Sequence, residues 1–274
     1  MTTIQALDGC GALIEGIDLI NASDHEIATV RKAVFDHGVA FLHDQHLGPE
    51  DHIAFAERVG PIVINRYFPK TEKYPQIAKV EKTETQTTNI GGGWHTDHSY
   101  DEEPAMGSIL VALETPPHGG DTLFANMYSA YDALSDGLKK TLSGLRAVHG
   151  TAHVFGKAAA YANTERKEFG GSTDLPESIH PAVITHPGSG KKALYVNPGF
   201  TLRFDGWTAE ESTPLLSFLY EHASQSRFVH RFSWKPGSVA IWDNRATWHM
   251  AMNDYHGHRR LMHRITIAGE RLAS

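Results

Sequence analysis

Ser238-Val-Ala-Ile-Trp-Asp-Asn244, Ala246-Thr-Trp-His-Met-Ala-Met252 and Arg260-Leu-Met-His-Arg-Ile-Thr-Ile-Ala268 are short segments in which apolar and polar residues interchange. With residues 228–234 before them, they are separated by Pro236-Gly237 and by the polar loop 253–258. A period of two is that of a strand with one face buried, and connections this short join antiparallel neighbours rather than helical crossovers. The pattern predicts a closed antiparallel double-sheet roll: a mostly β chain with flanking helices around a double-stranded β-helix (jelly-roll, cupin-like) core, in place of a βαβ array.

Upstream, Ser23-Asp-His-Glu26 has the form of a capping box before Ile27, Val30 and Val34 at helical spacing, with Gly38 placed to end that helix. Strands are expected at 39–42, 76–81, around His95, and at 106–114 and 121–125, with helices at 49–58 and 128–142. Lys139-Lys140 falls on the solvated face of the latter. Thr208-Ala-Glu-Glu211 starts another capped helix, whose Leu215, Leu216, Phe218 and Leu219 are expected to cover a sheet. Residues 155–180 break the rhythm with Gly170-Gly171-Ser172 and scattered charges, and read as an irregular insertion: an active-site lid, a subunit contact or a surface loop. No repeat or linker divides the chain, so residues 1–274 are expected to form one domain.

Trp94-His95-Thr96-Asp97 carries the first chemistry. On a strand, residues i and i+2 share a face, so His95 and Asp97 can grip one ion while Thr96 points away. Two histidines and one carboxylate make the facial triad that leaves positions open on a non-haem Fe(II), and the third ligand has to come from elsewhere in the chain. Trp248-His249 and Arg259-Arg260-Leu261-Met262-His263-Arg264 are the other polar clusters. Arg260 and Arg264 share one strand face, with Leu261 and Ile265 on the other. Guanidinium groups facing a barrel interior need anionic partners, which small organic anions would supply.

With these residues in view the chain resembles the taurine dioxygenase/2,4-dichlorophenoxyacetate dioxygenase (TauD/TfdA) family of Fe(II)- and 2-oxoglutarate-dependent oxygenases. The likeness runs from Gly11–Leu19 through Trp94–Asp97, Gly119-Gly-Asp-Thr-Leu123, His180-Pro181, Tyr195-Val-Asn197 and Trp242-Asp-Asn244 to the Arg-rich strand. It implies that His95, Asp97 and His249 ligate the iron, that Arg260 pairs with the distal carboxylate of 2-oxoglutarate, that Thr122 donates a hydroxyl to the same cosubstrate, and that Arg264 receives the anionic group of the prime substrate. It further implies O2 as oxidant, with succinate and CO2 released as a small anionic organic substrate is hydroxylated. Hydroxylation beside a heteroatom gives a product that breaks apart, so cleavage of a sulfonate, sulfate ester or aryl ether is the expected net outcome. The likeness is weaker where taurine-oxidising members read their substrate. Here those stretches are Asn65-Arg66-Tyr67-Phe68 and Gly91-Gly92-Gly93, which disfavours taurine and makes Asn65, Tyr67, Phe68 and the adjacent His98 the pocket candidates.

Composition narrows the setting. A net charge of −7 argues against nucleic-acid binding, which needs a clustered basic surface. No apolar run approaches a bilayer's thickness and no signal core is evident, so neither membrane association nor export is expected. The single cysteine, Cys10, excludes an intrachain disulfide and suits a reducing, cytoplasmic compartment; a homo-oligomer is expected. Two rival readings stay open. The same donor set suits Zn(II) hydrolysis, in which metal-activated water needs no organic cosubstrate, and a barrel of this kind could bind a small anion without catalysis. Oxygen uptake coupled to succinate formation separates them. A halogenating relative is disfavoured because halide needs the position that Asp97 fills.

Overall fold

A computed structural model describes residues 1–162 and 164–273. Its main sheet has eight strands, in the order Thr3–Ala6, Ala12–Glu15, Val39–Leu42, Val239–Asp243, Gly107–Glu114, Arg260–Ile267 and Ile62–Val63, with Ala78–Lys82 also paired to Arg260–Ile267. A second sheet runs Val229–Phe232, Thr122–Asn126, Thr247–Ala251, all antiparallel. The four C-terminal segments are therefore all strands, dealt alternately to the two sheets, as a jelly roll requires.

Alternation decides which side chains meet. Val39, Phe41, Leu110, Ala112, Ala240, Trp242 and Met262 point inward and share one cluster with Phe124 and Phe232 of the opposing sheet. Phe41 stacks on Phe232 at 4.1 Å and meets Phe124 edge-on at 5.3 Å. Their sequence neighbours Ala40, Leu42, Ile109, Val111, Val239, Ile241 and Ile265 face the other way, into a layer roofed by helices Asp24–His37 and Pro49–Val59. The outer face of the smaller sheet is covered by helices Met127–Asp132 and Ala209–Ala223. Slipping any of these strands by one residue would exchange the two layers, so burial fixes the register.

The capping boxes at Ser23/Glu26 and Thr208/Glu211 are both formed. Three expectations are corrected. The helix expected at 128–142 is two helices, Met127–Asp132 and Asp136–Leu142, because the Ser135 side chain accepts from Leu138 N and starts a new helix where the first has ended. Phe218 is 50% exposed; the buried stripe of its helix runs through Ser212, Leu216, Leu219 and His222. The insertion is regular at its end, where Glu177–Pro181 pairs with Arg146–Gly150.

His52 lies on the buried face of helix Pro49–Val59, where desolvation pushes its imidazole from 6.5 down to about 3. The folded value lies below the unfolded one, so the unfolded chain binds the extra proton. The stability from a neutral His52 is fully present above pH 6.5 and is lost as pH falls from there towards 3. Urea unfolding at pH 7 and pH 5 should show His52→Leu losing less stability on acidification than the parent, by up to about 1.4 kcal/mol per pH unit. Parallel declines would remove His52 from this role.

Candidate active site

His95 and His249 are placed by a two-bond bridge between chain segments far apart in sequence: His95 N donates to His249 O at 3.2 Å and His249 N to His95 O at 2.8 Å. The expected strand around His95 shrinks to that single bridge. Residues 97–100 form a turn instead, with His98 at φ +61°. The turn still serves the site. Thr96 points away and donates to Asn244 O at 2.6 Å, while Asp97 swings under the two imidazoles. Its Oδ1 lies 3.8 Å from His95 Nε2 and its Oδ2 lies 3.8 Å from His249 Nε2. One donor atom from each of the three residues falls within 4.8 Å of the others.

The protonation pattern suits a cation. His95 Nδ1 donates to Gly93 O at 2.8 Å, which fixes the ring with its Nε2 turned towards Asp97. Burial, reinforced by His95, holds the His249 imidazole far below its usual range and therefore neutral, against the pull of Asp97. Burial alone would raise the Asp97 carboxyl; Arg264 foremost, then His249 and His95, hold it well below the usual carboxylate range. Two imidazoles, that of His249 neutral, and one carboxylate thus converge. The Nδ1 of His249 meets no acceptor among the described residues.

Arg264, expected to wait for a substrate anion, already has a carboxylate: its Nη1 donates to Asp97 Oδ2 at 3.1 Å. A buried guanidinium beside a buried carboxylate pairs with it, since either alone would be costly. Its Nε has no partner among the described residues, and the ring centroid of Phe68 lies 4.2 Å from the guanidinium carbon.

Arg260 differs. It is buried, donates from Nε to Gly120 O at 3.1 Å, and leaves Nη2 without a partner. No carboxylate lies within ion-pair distance among the described residues. Beside it, Thr122 Oγ1 accepts from Trp234 Nε1 at 3.0 Å, so the hydroxyl proton is free to be donated. Arg260, Thr122, Arg264 and the three-residue cluster line one cavity of about 300 Å³. Asn65, Tyr67 and Phe68 line it too.

His98 stands behind the wall rather than in it. Asn65 Oδ1 accepts from Tyr67 N and Phe68 N, at 2.9 and 3.1 Å, so the Asn65 amide nitrogen is the donor towards His98 Nε2, 3.3 Å away. The proton of His98 is then on Nδ1, donated to Asp101 at 2.8 Å. His98 holds the loop that carries Tyr67 and Phe68; its left-handed backbone turns it out of the line of Asp97.

Several wall residues went unforeseen. Tyr100, Phe155 and Phe200 form a buried aromatic cluster against Tyr67 and Phe68, with Tyr67 stacked on Phe155 at 4.0 Å. As isolated aromatics they look like ordinary core. Gly199 is also part of the site: a Cβ there would sit 2.6 Å from His95 Cβ, so a larger residue would displace His95. The insertion contributes Phe155 and Tyr161 to the wall, and its Asp174 ties down Arg66 and Tyr67.

Comparison with known proteins agrees with this geometry. The family described as taurine catabolism dioxygenase TauD, TfdA family matches residues 3–266. An alkylsulfatase from Acinetobacter baylyi is 35% identical over 95% of this chain and 82% of its own length. An alpha-ketoglutarate-dependent 2,4-dichlorophenoxyacetate dioxygenase from Burkholderia sp. (strain RASC) is 32% identical over 91% of this chain and 88% of its own. The crystal structure of a taurine dioxygenase from Burkholderia xenovorans superposes with a TM-score of 0.83 at 32% identity, covering 100% of this chain and 93% of that one. On its sequence, its fold and the convergence of His95, Asp97 and His249, the chain belongs to the TauD/TfdA family of alpha-ketoglutarate-dependent dioxygenases.

Proposed function

We propose that this protein is an Fe(II)- and 2-oxoglutarate-dependent dioxygenase that hydroxylates a small anionic organic substrate, a sulfonate, alkyl sulfate or aryloxyalkanoate, and so leads to its cleavage. The observation that carries this is one cavity lined both by the convergent His95, Asp97 and His249 and by Thr122 and a buried Arg260 whose Nη2 has no partner among the described residues. When bound, iron and 2-oxoglutarate reduce O2 and place one oxygen atom in a substrate C–H bond, with succinate and CO2 as coproducts.

In this reading the chain does the positioning. His95, Asp97 and His249 hold the metal, with the Arg264 hydrogen bond orienting the Asp97 carboxylate. Arg260 and Thr122 receive the distal carboxylate of 2-oxoglutarate through charge-assisted bonds. Arg264 presents its free Nε edge to the substrate anion, while Tyr67, Phe68, Phe155 and Phe200 enclose an apolar body and exclude water. Asp97 is the one acid lining the cavity and is already paired, so the ammonium of taurine would find no counter-charge. An aryl or alkyl anion fits better.

We read residues 1–274 as one domain, because the eight-stranded sheet draws strands from both ends of the chain. A cytoplasmic setting, supported by a single buried, free Cys10, and a homo-oligomeric assembly complete the proposal. Among the described residues no helix is long and apolar enough to cross a membrane.

The test is O2 uptake and succinate release by the Fe(II)-loaded enzyme over a panel of sulfonates, alkyl sulfates and aryloxyalkanoates. At least one class should couple the two in equal amounts. Metal-dependent hydrolysis of a panel member without O2 uptake would establish the zinc-hydrolase alternative instead.

A further inference from the structure

Strand Ala78–Lys82 pairs with the Arg-rich strand in the register Arg264↔Ala78, Met262↔Val80 and Arg260↔Lys82. Directly opposed residues of antiparallel strands project to the same face, so Lys82 enters the roll beside Arg260. It is 3% exposed, and its Nζ has no hydrogen-bond or ion-pair partner among the described residues. The Tyr255 ring centroid lies 4.2 Å from that Nζ, and Trp234 flanks Arg260 at 5.7 Å. Lys82, Arg260, Tyr255, Val80 and Asn89 surround a small cavity of about 10 Å³, on the order of one water molecule.

The nearby acids are engaged elsewhere. Glu81 pairs with Lys79 and Arg259, Glu165 accepts from the Thr87 and Thr88 amides, and Asp121 pairs with Arg231. Two buried cations therefore project from opposed register positions and line one small cavity, and neither makes a direct ion pair among the described residues; Glu165 acts on Lys82, and Asp121 on Arg260, only from a distance. Each has an aromatic face beside it, which offsets only part of the cost of burying an ammonium or guanidinium.

We propose that Lys82 is a second cationic determinant for the distal carboxylate of 2-oxoglutarate. It acts beside Arg260, directly or through one water in the small cavity, and makes the enzyme select an oxo-dicarboxylate over an oxo-monocarboxylate. This rests on the cosubstrate reading above. One anion then answers both charges: Arg260 supplies the planar fork and Lys82 a point charge that needs no fixed geometry.

The experiment is an anaerobic titration of Fe(II)-loaded enzyme with 2-oxoglutarate and with 2-oxopentanoate, which has the same chelating end and carbon count but no distal carboxylate. Lys82→Met should raise the Kd for 2-oxoglutarate at least about tenfold while leaving that for 2-oxopentanoate within about twofold. The melting temperature of metal-free Lys82→Met should be unchanged or higher, because an unpaired buried charge has been removed, and Lys82→Arg should recover most of the dicarboxylate preference. Equal weakening of both keto acids, no weakening of either, or a marked fall in melting temperature would each make Lys82 a structural residue and overturn the proposal. Wild-type enzyme that binds both keto acids alike would overturn the cosubstrate reading itself, a result distinct from any of these.

Discussion

Asp97→Ala is expected to abolish substrate-coupled succinate formation and to weaken Fe(II) binding by well over about 100-fold, since loss of a partner outside the ligand set alone can cost 10–100-fold in affinity. Asp97 is the only carboxylate among the three residues that converge in the cavity, so its removal leaves two imidazoles and no anionic ligand to hold a divalent ion. A second effect follows from the structure. Arg264 loses the acceptor 3.1 Å from its Nη1 and becomes a buried cation without a partner, which costs about 3–5 kcal/mol of stability. The two effects separate in practice: a metal titration reports the first, and thermal unfolding of the metal-free protein reports the second. Retention of most wild-type turnover with Fe(II) would remove Asp97 from the ligand set.

Arg264→Leu is the complementary case. Without the guanidinium, Asp97 is a buried carboxylate whose foremost stabilising charge has gone. The metal-free variant should therefore melt lower by on the order of 5–10 °C, the equivalent of a few kcal/mol in a chain of this size. A divalent ion would take over as the counter-charge, so Mn(II) should restore more of the lost stability in the variant than it adds to the wild type. Turnover of an anionic substrate should be lost even when metal is loaded, because the Nε edge proposed to receive the substrate anion is gone. Binding of 2-oxoglutarate should be little changed. A variant that is stable without metal and oxidises the anionic substrate with unchanged affinity would sink both roles given to Arg264, the pairing with Asp97 and the anchoring of substrate.

The two capping boxes, the buried apolar strand Val39-Ala-Phe-Leu42 and the strand Arg260–Ile267 were legible because each depends on neighbours within a few residues. Elsewhere a local competitor decides the outcome. Ser135 satisfies the first amides of a new helix and so splits the expected one. The His95-Thr-Asp97 spacing gave the correct pairing of side chains for a reason other than the one expected: a bridge to His249 followed by a turn, in place of a regular strand. His98 was out of reach by such means, since its left-handed backbone is imposed by what the turn packs against.

Periodicity, capping residues and the His-x-Asp motif are properties of chain a few residues long, and they were sufficient to indicate a jelly-roll core, a His95/Asp97 pair that converges on His249, and an inward-facing Arg260 and Arg264. Which groups those arginines meet depends on contacts between segments more than a hundred residues apart. Asp97 takes Arg264 across 167 positions, Trp234 orients Thr122 across 112, and Lys82 stands beside Arg260 only because two strands share one register. Tyr67, Tyr100, Phe155 and Phe200 become one wall through contacts that likewise join distant segments, such as Tyr67 with Phe155 and Tyr100 with Phe200. Spacing along a chain encodes which face a side chain takes, but the distance between two faces is set by the packing of the sheets and by the cost of leaving a buried charge alone.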